Sequence, residues 1–314
     1  MLAITLAAEM LLMTLIGVFA RKSNIVGKEF SKYLTSFLMK LALPALTFHS
    51  VRSATEFSVE ALTDCALVVV VSIAVLSISF GIGQTFYFLS GKSGTGRILR
   101  YAVTFSHFSF MGIPMMDAFF GEIGTFYYVF FMLPIRIVYY MLSDSLMIPP
   151  DQTSEKRTLG TMVKEILLTP ALIGLALGLI FWITGWELPT AIDYCVRQCS
   201  ALGSPLGLIL CGLLLGEYDM KRLWNLRYLK IPLIRLIAMP AIFFVFSRGL
   251  LLLGVEKLVC DIVVVFSALP AASLLPAYTA QYDPDPENHF TAAGTCVIST
   301  LLSTITLPIW FSLI

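Results

Sequence analysis

The stretch 107–121, "HFSFMGIPMMDAFFG", places a histidine, a glycine, a proline and an aspartate inside a long apolar segment. It belongs to a run of about 21 mostly apolar residues, 101–121, which is long enough to cross a bilayer. Pro114 lacks the N–H that would continue the helical hydrogen bonds, and Gly112 loosens the same turn. The stretch therefore predicts a membrane-spanning helix that is broken at its middle, with backbone groups free to bind a ligand.

The composition of the whole chain indicates a membrane protein. Of its 314 residues, 58% are hydrophobic and 13% are charged, and the mean hydropathy is +0.86. A soluble domain has too little interior to bury that much apolar surface, so we predict an all-α polytopic membrane protein. The formal net charge is +1 and the basic residues form only short clusters, which gives no indication of nucleic-acid binding.

The six cysteines form no CxxC pair, and no histidines stand at the spacing of metal ligands. We interpret all six cysteines as small core residues, and we expect neither a metal site nor a cofactor.

Apolar runs of about 20 residues predict ten membrane spans. The run that begins at residue 2 is expected to be a retained first span, because no basic residue precedes it as in a signal peptide. The predicted spans are 2–20, 30–51, 63–90, 101–121, 123–148, 163–186, 190–216, 228–253, 258–280 and 289–313.

The distribution of Lys and Arg predicts the orientation. The loops after spans 1, 3, 5 and 7, with the adjoining span ends, hold 14 of these residues, whereas the loops and span ends of the opposite side hold four. Because cytoplasmic loops are the basic ones, the odd-numbered loops are predicted to be cytoplasmic and both termini to lie outside. The expected location is a cell membrane, plasma or inner, that the chain crosses several times.

Spacings within the chain favour an internal repeat. Gly17 and Pro44 lie 27 residues apart, as do Gly178 and Pro205, and the two pairs are offset by 161 residues. Five spans per half is an odd number, so the second half must enter the membrane from the opposite side, as in many secondary carriers.

We therefore predict two inverted five-helix repeats. They cover residues 1–148 and 162–314, and the central cytoplasmic loop 149–161 joins them.

The counterpart of the opening stretch is "FSALPAASLLPAY", residues 266–278. Pro270 and Pro276 bracket small residues that allow close backbone approach. Interrupted spans at corresponding positions of two repeats indicate a transport site at the midplane, and the alternative is a pair of ordinary proline kinks. We expect broken crossover helices in spans 4 and 9.

These residues also resemble a known family. The segments 108–121, "FSFMGIPMMDAFFG", and 268–310, "ALPAASLLPAYTAQYDPDPENHFTAAGTCVISTLLSTITLPIW", resemble the fourth span and the last two spans of the auxin efflux carrier family. That family includes plant PIN proteins and bacterial organic-anion carriers. "FLMKLALPALTF" (37–48) and "LLTPALIGLALGLIF" (167–181) fit it as well, so the resemblance covers nearly the whole chain.

The resemblance implies a homodimeric, elevator-type carrier of small organic anions. Its crossover prolines would be Pro114 and Pro270, with spans 1, 2, 6 and 7 as scaffold and dimer surface and the others as the moving unit. The chain departs from the family by having His107 where asparagine is common and Ser109 where glycine is usual. Near Pro270, the counterpart of a second common asparagine is Leu274 or Leu275.

Ionisable residues within the spans are candidates for function, because such groups are costly in hydrocarbon. His107 either carries protons, since an imidazole titrates at about pH 6.5, or is a neutral structural residue bonded to a carbonyl. Asp117 either couples protons or caps the half-helix that follows the break. Lys40 either pairs with a substrate carboxylate, replaces a bound sodium ion, or extends to the interface. Further charges, expected to pair across helices, are Glu9, Arg136, Asp144 and Arg235.

The resulting hypothesis is a secondary transporter of a small organic anion, such as a mono- or dicarboxylate or an auxin-like acid. It would be coupled to protons or the membrane potential, with H+ or Na+ as possible ion partners. A ligand-binding sensor or channel-like protein is the alternative, and the lack of a nucleophile–base pair argues against an enzyme. The candidate substrate-binding residues are Lys40, His107, Ser109, Gly112, Pro114, Pro270, Ala271 and Ser273, and the proton-coupling candidates are His107 and Asp117.

Overall fold

A computed structural model describes residues 2–27, 29–149, 160, 168–217 and 226–314. Within those residues all regular structure is helical, apart from one antiparallel bridge between Ser106 and Ala271. Most of the predicted central loop, the start of predicted span 6 and the segment 218–225 lie outside the described residues.

The first half of the chain forms six helices, two of which follow short π-helical turns. They are α1 (Leu2–Lys22), α2 (Phe30–Phe37), a π turn (Leu38–Ala42), α3 (Leu43–Ser53), α4 (Val59–Leu89), α5 (Gly94–Thr104), a π turn (Phe108–Gly112) and α6 (Ile113–Met147).

The described part of the second half adds eight helices. They are α7 (Pro170–Thr184), α8 (Thr190–Ala201), α9 (Gly203–Glu217), α10 (Leu226–Leu233), a π turn (Ile234–Ala238), α11 (Met239–Leu252), α12 (Lys257–Ala268), α13 (Leu275–Tyr282) and α14 (Pro286–Ser312).

Six helical segments in the described residues are long and apolar enough to cross a membrane, which confirms an all-helical, multi-pass membrane protein. They are Phe30–Ser53, Val59–Leu89, Ile113–Ser143, Thr190–Gly216, Tyr228–Leu252 and Pro286–Ser312, and Pro170–Thr184 is a shorter apolar helix. Predicted spans 4 and 9 do not meet this length because each is interrupted near its middle. The count of ten spans stays a prediction.

A sharp turn at Gly121 divides α6. Its φ of 66° and ψ of −156° are open to glycine and strained for residues with a side chain. The turn separates 113–120 from 122–147, which is where the sequence predicts the boundary between spans 4 and 5.

The three π turns each end two residues before a proline. A proline in a helix has no N–H to donate and its ring clashes with the carbonyl four residues earlier, and a widened turn relieves both problems. The turns and their prolines are Leu38–Ala42 before Pro44, Phe108–Gly112 before Pro114, and Ile234–Ala238 before Pro240. Prolines thus set where the spans lose regular α-helical geometry.

Two helix pairs pack with their backbones in close contact through glycines. α1 lies along α9, where a Cβ on Gly212 would stand 1.9 Å from the Thr14 carbonyl oxygen. α3 lies along α7, where a Cβ on Gly174 would stand 2.4 Å from the Pro44 carbonyl oxygen. Small residues permit this approach between membrane helices, whose association depends on close packing.

A buried ion pair ties the start of α5 to the loop before α14. Arg97 Nη2 donates to Asp283 Oδ2 at 2.6 Å, and both side chains are buried. Burial alone raises the pKa of the Asp283 carboxyl. Hydrogen bonds from the Asp285 N–H, the Asn288 amide and the Arg97 guanidinium outweigh burial and hold that pKa below its ordinary value.

This lowered pKa makes the stability of the protein depend on pH. A carboxyl with a lower pKa in the folded state stabilises fully above its unfolded pKa of about 3.9, and the stabilisation is lost as pH falls through the folded pKa. We expect Asp283→Asn to lower the melting temperature at pH 7, at a cost of about 3 kcal/mol for a broken buried pair. The variant should also lose less stability than the wild type below about pH 4.

The measurement is thermal unfolding of detergent-purified protein across that pH range. Asp285→Asn is the matched control, because Asp285 is exposed and asparagine keeps its hydrogen bond to the Glu287 N–H. Equal slopes of melting temperature against pH in Asp283→Asn and the wild type would contradict the assignment.

Candidate functional site

Two interrupted helices meet through their backbones. α5 ends at Thr104 and α12 ends at Ala268, and the chain after each becomes extended. The His107 N–H donates to the Pro270 carbonyl at 2.8 Å, and the Ala272 N–H donates to the Phe105 carbonyl at 3.3 Å. These two hydrogen bonds form the antiparallel bridge between Ser106 and Ala271.

The helix ends around this crossing carry opposite partial charges. α5 and α12 end at the crossing with their carboxyl ends. Two further elements begin with their amino ends on the other side of the extended residues: the π turn Phe108–Gly112 and the helix α13. Helix carboxyl ends are partly negative and amino ends partly positive, so the crossing offers one environment for a cation and another for an anion. Both predicted breaks, at Pro114 and Pro270, lie within this arrangement.

Side chains of neighbouring helices hold the extended residues in place. Ser299 of α14 accepts a hydrogen bond from the Ala271 N–H at 3.2 Å, and Cys296 Sγ donates to the Ala272 carbonyl at 3.3 Å. The Tyr128 hydroxyl of α6 donates to the Phe108 carbonyl at 2.9 Å. A Cβ on Gly112 would lie 2.1 Å from that hydroxyl oxygen, so glycine is required for the contact.

A cavity of about 90 Å³ adjoins the crossing. Three predicted site residues line it: His107, Ala271 and Ser273. The remaining lining comes from α9 and α14, which the sequence interpretation did not include. These residues are Cys211, Leu214, Leu215, Cys296, Val297 and Thr300.

The interpretation of all six cysteines as small core residues holds for the four that are buried, Cys65, Cys211, Cys260 and Cys296, whereas Cys195 is exposed and Cys199 is half-buried. Cys211 and Cys296 are buried, as expected of small core residues, but both also face the cavity. Cys211, Leu214 and Leu215 share one face of α9 at helical spacing, and Cys296 and Thr300 share one face of α14. For α14, the small and polar residues that recur on one face were the available signal.

The other predicted crossing residues act through the backbone. Pro114 follows the π turn, Gly112 admits the Tyr128 hydroxyl, and Pro270 supplies the carbonyl that His107 binds. Ser109 is partly buried in the π turn and does not line the cavity.

Asp117 connects two parts of the protein. Its carboxylate accepts a hydrogen bond from the Ser204 hydroxyl of α9 at 2.6 Å and a longer one from Thr125 at 3.5 Å. Its recorded partners are hydroxyl groups of other segments rather than helix N–H groups. The capping alternative therefore has no support in these contacts.

Lys40 lies away from the crossing cavity. Its side chain is exposed, although it lies within predicted span 2. It lines a separate, mostly apolar cavity of about 520 Å³ between α3, α7 and α8, and the two cavities share no lining residue.

Arg235 is a buried charge beside the crossing. It was expected to pair across helices with another charge. It instead donates to backbone carbonyls of Leu269 and Val103, at 2.9 Å and 3.2 Å.

A multi-pass helical protein with crossed, interrupted helices beside a cavity has the architecture of a membrane transport protein. The chain matches the family of membrane transport proteins over residues 2–311, and it belongs to that family, which is that of the auxin efflux carriers. The predicted family is thereby confirmed.

Two archaeal proteins are similar to the chain along its length. An uncharacterized transporter of Methanothermobacter thermautotrophicus is 24% identical over 317 residues, covering 96% of this chain and 95% of that protein. An uncharacterized transporter of Methanocaldococcus jannaschii is 24% identical over 308 residues, covering 96% and 95%.

Proposed function

We propose that the protein is an elevator-type secondary carrier of a small organic anion, such as a mono- or dicarboxylate or an auxin-like acid. The observation that carries the proposal is the cavity beside the backbone crossing of the two interrupted helices. Amino ends of half-helices bind substrate carboxylates in carriers of this kind, because their free N–H groups and partial positive charge favour anions.

The cavity lies where the family's division into scaffold and moving unit would place a transport site. Its α9 residues belong to predicted span 7, a scaffold span, whereas its other residues belong to the crossing and to α14. A substrate there would contact both parts, as movement of one against the other requires. The hydrogen bond between Asp117 and Ser204 joins the same two parts.

Helix packing supports two inverted five-helix repeats, 1–148 and 162–314, with the central loop 149–161. In such an arrangement, spans 6 and 7 correspond to spans 1 and 2. The contact of α1 (span 1) with α9 (span 7) then corresponds to the contact of α7 (span 6) with α3 (span 2). Both pairs are present. The contact of α4 with α5 likewise corresponds to that of α11 with α12.

Contacts between the ends of helices support the predicted alternation of ten spans. Arg52, after span 2, pairs with Asp193, at the start of span 7. Lys257, before span 9, donates to the Ile314 carbonyl at 2.8 Å. Each contact joins segments that the alternation places on one side of the membrane, and the proposed orientation puts both termini outside.

The proposal also includes homodimerisation and coupling to protons or the membrane potential. Membership of the family is the only support for these two features.

Counterflow in proteoliposomes tests the function. Vesicles loaded with an unlabelled mono- or dicarboxylate should accumulate the labelled anion transiently and saturably, with a rate that depends on pH or membrane potential. A sensor gives no flux, and a channel-like protein gives flux without counterflow. Either result, across a panel of carboxylates and indole acids, would contradict the carrier proposal.

A further inference from the structure

Arg235 is almost completely buried at the centre of the protein. Its side chain is 1% exposed, and it extends from the π turn Ile234–Ala238 between α10 and α11. The guanidinium donates from Nε to the Leu269 carbonyl and from Nη1 to the Val103 carbonyl.

These carbonyls are ones that the helix breaks leave without helical donors. In a continuous helix the Val103 carbonyl would accept the N–H of His107, but that N–H donates to Pro270. Leu269 directly follows the last residue of α12. One side chain therefore caps the carboxyl ends of two half-helices, one from each half of the chain.

The charges at this position balance. Each helix carboxyl end carries roughly −0.5 of an elementary charge, so two ends together offset about one positive charge. Among the residues that the structure describes, no carboxylate pairs with Arg235, and its Nη2 has no acceptor. The helix ends are thus its counter-charge.

We propose that Arg235 is a built-in cation that takes the place of a coupling metal ion at the crossing. In carriers with broken helices, the carboxyl ends of half-helices and unwound carbonyls coordinate Na+, and here a guanidinium occupies that environment. The crossing of this carrier therefore requires no Na+, and shortening the side chain creates a site for a small monovalent cation. This inference rests on the proposed function and deepens it, since it concerns the coupling ion of the carrier. It also assigns to Arg235 the role of replacing a bound sodium ion that the sequence suggested for Lys40.

Thermal unfolding of the purified protein tests the inference without any transport assay. The wild type should melt at the same temperature in choline chloride and in sodium chloride of equal ionic strength. Arg235→Ala should melt about 10 °C lower in choline chloride, because two helix ends lose their buried counter-charge. Sodium, lithium or a low concentration of methylguanidinium should restore at least about half of that loss.

Two further variants separate cation binding from other effects. Arg235→Met fills the space without charge, so it should be destabilised and gain nothing from added cations. Arg248→Ala is the matched control, because Arg248 also donates to a carbonyl, that of Leu313, but at an exposed position. It should show no response specific to any cation.

The results that would overturn the inference are a sodium-specific stabilisation of the wild type, or a folded Arg235→Ala variant that no cation stabilises. If Arg235→Ala fails to fold, the melting temperatures of the wild type and of Arg235→Lys in the two salts still test the inference. Both proteins should melt at the same temperature in sodium chloride as in choline chloride. If the wild type transports no anion, the proposed function fails while these melting temperatures remain informative.

Discussion

His107→Asn is expected to keep anion uptake within about threefold of the wild type while abolishing its dependence on pH. His107→Ala is expected to lower uptake at every pH by about tenfold or more, the effect of losing one buried polar contact. His107 lines the cavity, and its backbone bonds to Pro270 and Gly112 persist whatever the side chain is. An amide keeps a polar group at this position, as the family resemblance implies, but it cannot titrate.

Uptake into proteoliposomes at a series of external pH values provides the measurement, with melting temperatures to verify folding. His289→Asn is the matched control, because His289 lies near the Asp283 carbonyl, outside the crossing. That control should keep the pH profile of the wild type. An unchanged profile in His107→Asn would remove His107 from proton coupling and leave Asp117 as the remaining candidate.

Gly212→Ala is expected to destabilise the protein by about 3 kcal/mol, and Gly212→Leu to prevent accumulation of folded protein. The added Cβ would stand 1.9 Å from the Thr14 carbonyl oxygen and 2.9 Å from the Gly17 Cα. Both neighbours are backbone atoms, so no side-chain rotation relieves the overlap and α1 must separate from α9. Gly174→Ala should behave alike, because its Cβ would stand 2.4 Å from the Pro44 carbonyl oxygen of α3.

Fluorescence-detected size exclusion and thermal unfolding provide the measurement. Gly81→Ala and Gly249→Ala are matched controls, because both glycines lie within helices and a Cβ at either would meet nothing within 4 Å. These variants should melt at or above the wild-type temperature, since alanine is the better helix former. Equal stability of Gly212→Ala and Gly81→Ala would show that α1 and α9 do not pack as described.

The interruptions of the two crossing spans could be predicted from the sequence, because proline and glycine have strong local effects. Pro114 and Pro270 have no backbone N–H to donate, whatever residues surround them, so each interrupts its helix. Two extended segments at the same depth can then form hydrogen bonds with each other. The sharp turn at Gly121 also coincided with a predicted boundary. These features depend on residues close in sequence.

The lining of the cavity could not be predicted in the same way. Cys211, Leu214 and Leu215 lie in α9, which is apolar on nearly every side, so polarity does not indicate which of its faces turns inward. Lys40 occupied the centre of a predicted span, yet its side chain is exposed beside a different cavity. The partners of Arg235 are backbone carbonyls at the ends of two distant helices. Every residue has a backbone carbonyl, so the sequence does not indicate which ones Arg235 contacts.

The backbone bridge between Ser106 and Ala271 has a consequence for how substrate preference can change. The bridge itself is formed by peptide groups, which are the same for nearly every amino acid, whereas the cavity is lined by side chains. Substitutions at His107 or Ser273 can therefore alter what is recognised while the two helices remain joined, provided that proline does not replace His107 and remove the N–H that donates to Pro270. One architecture can in this way serve chemically different cargoes, because the side chains contact the cargo whereas the backbone groups join the two helices.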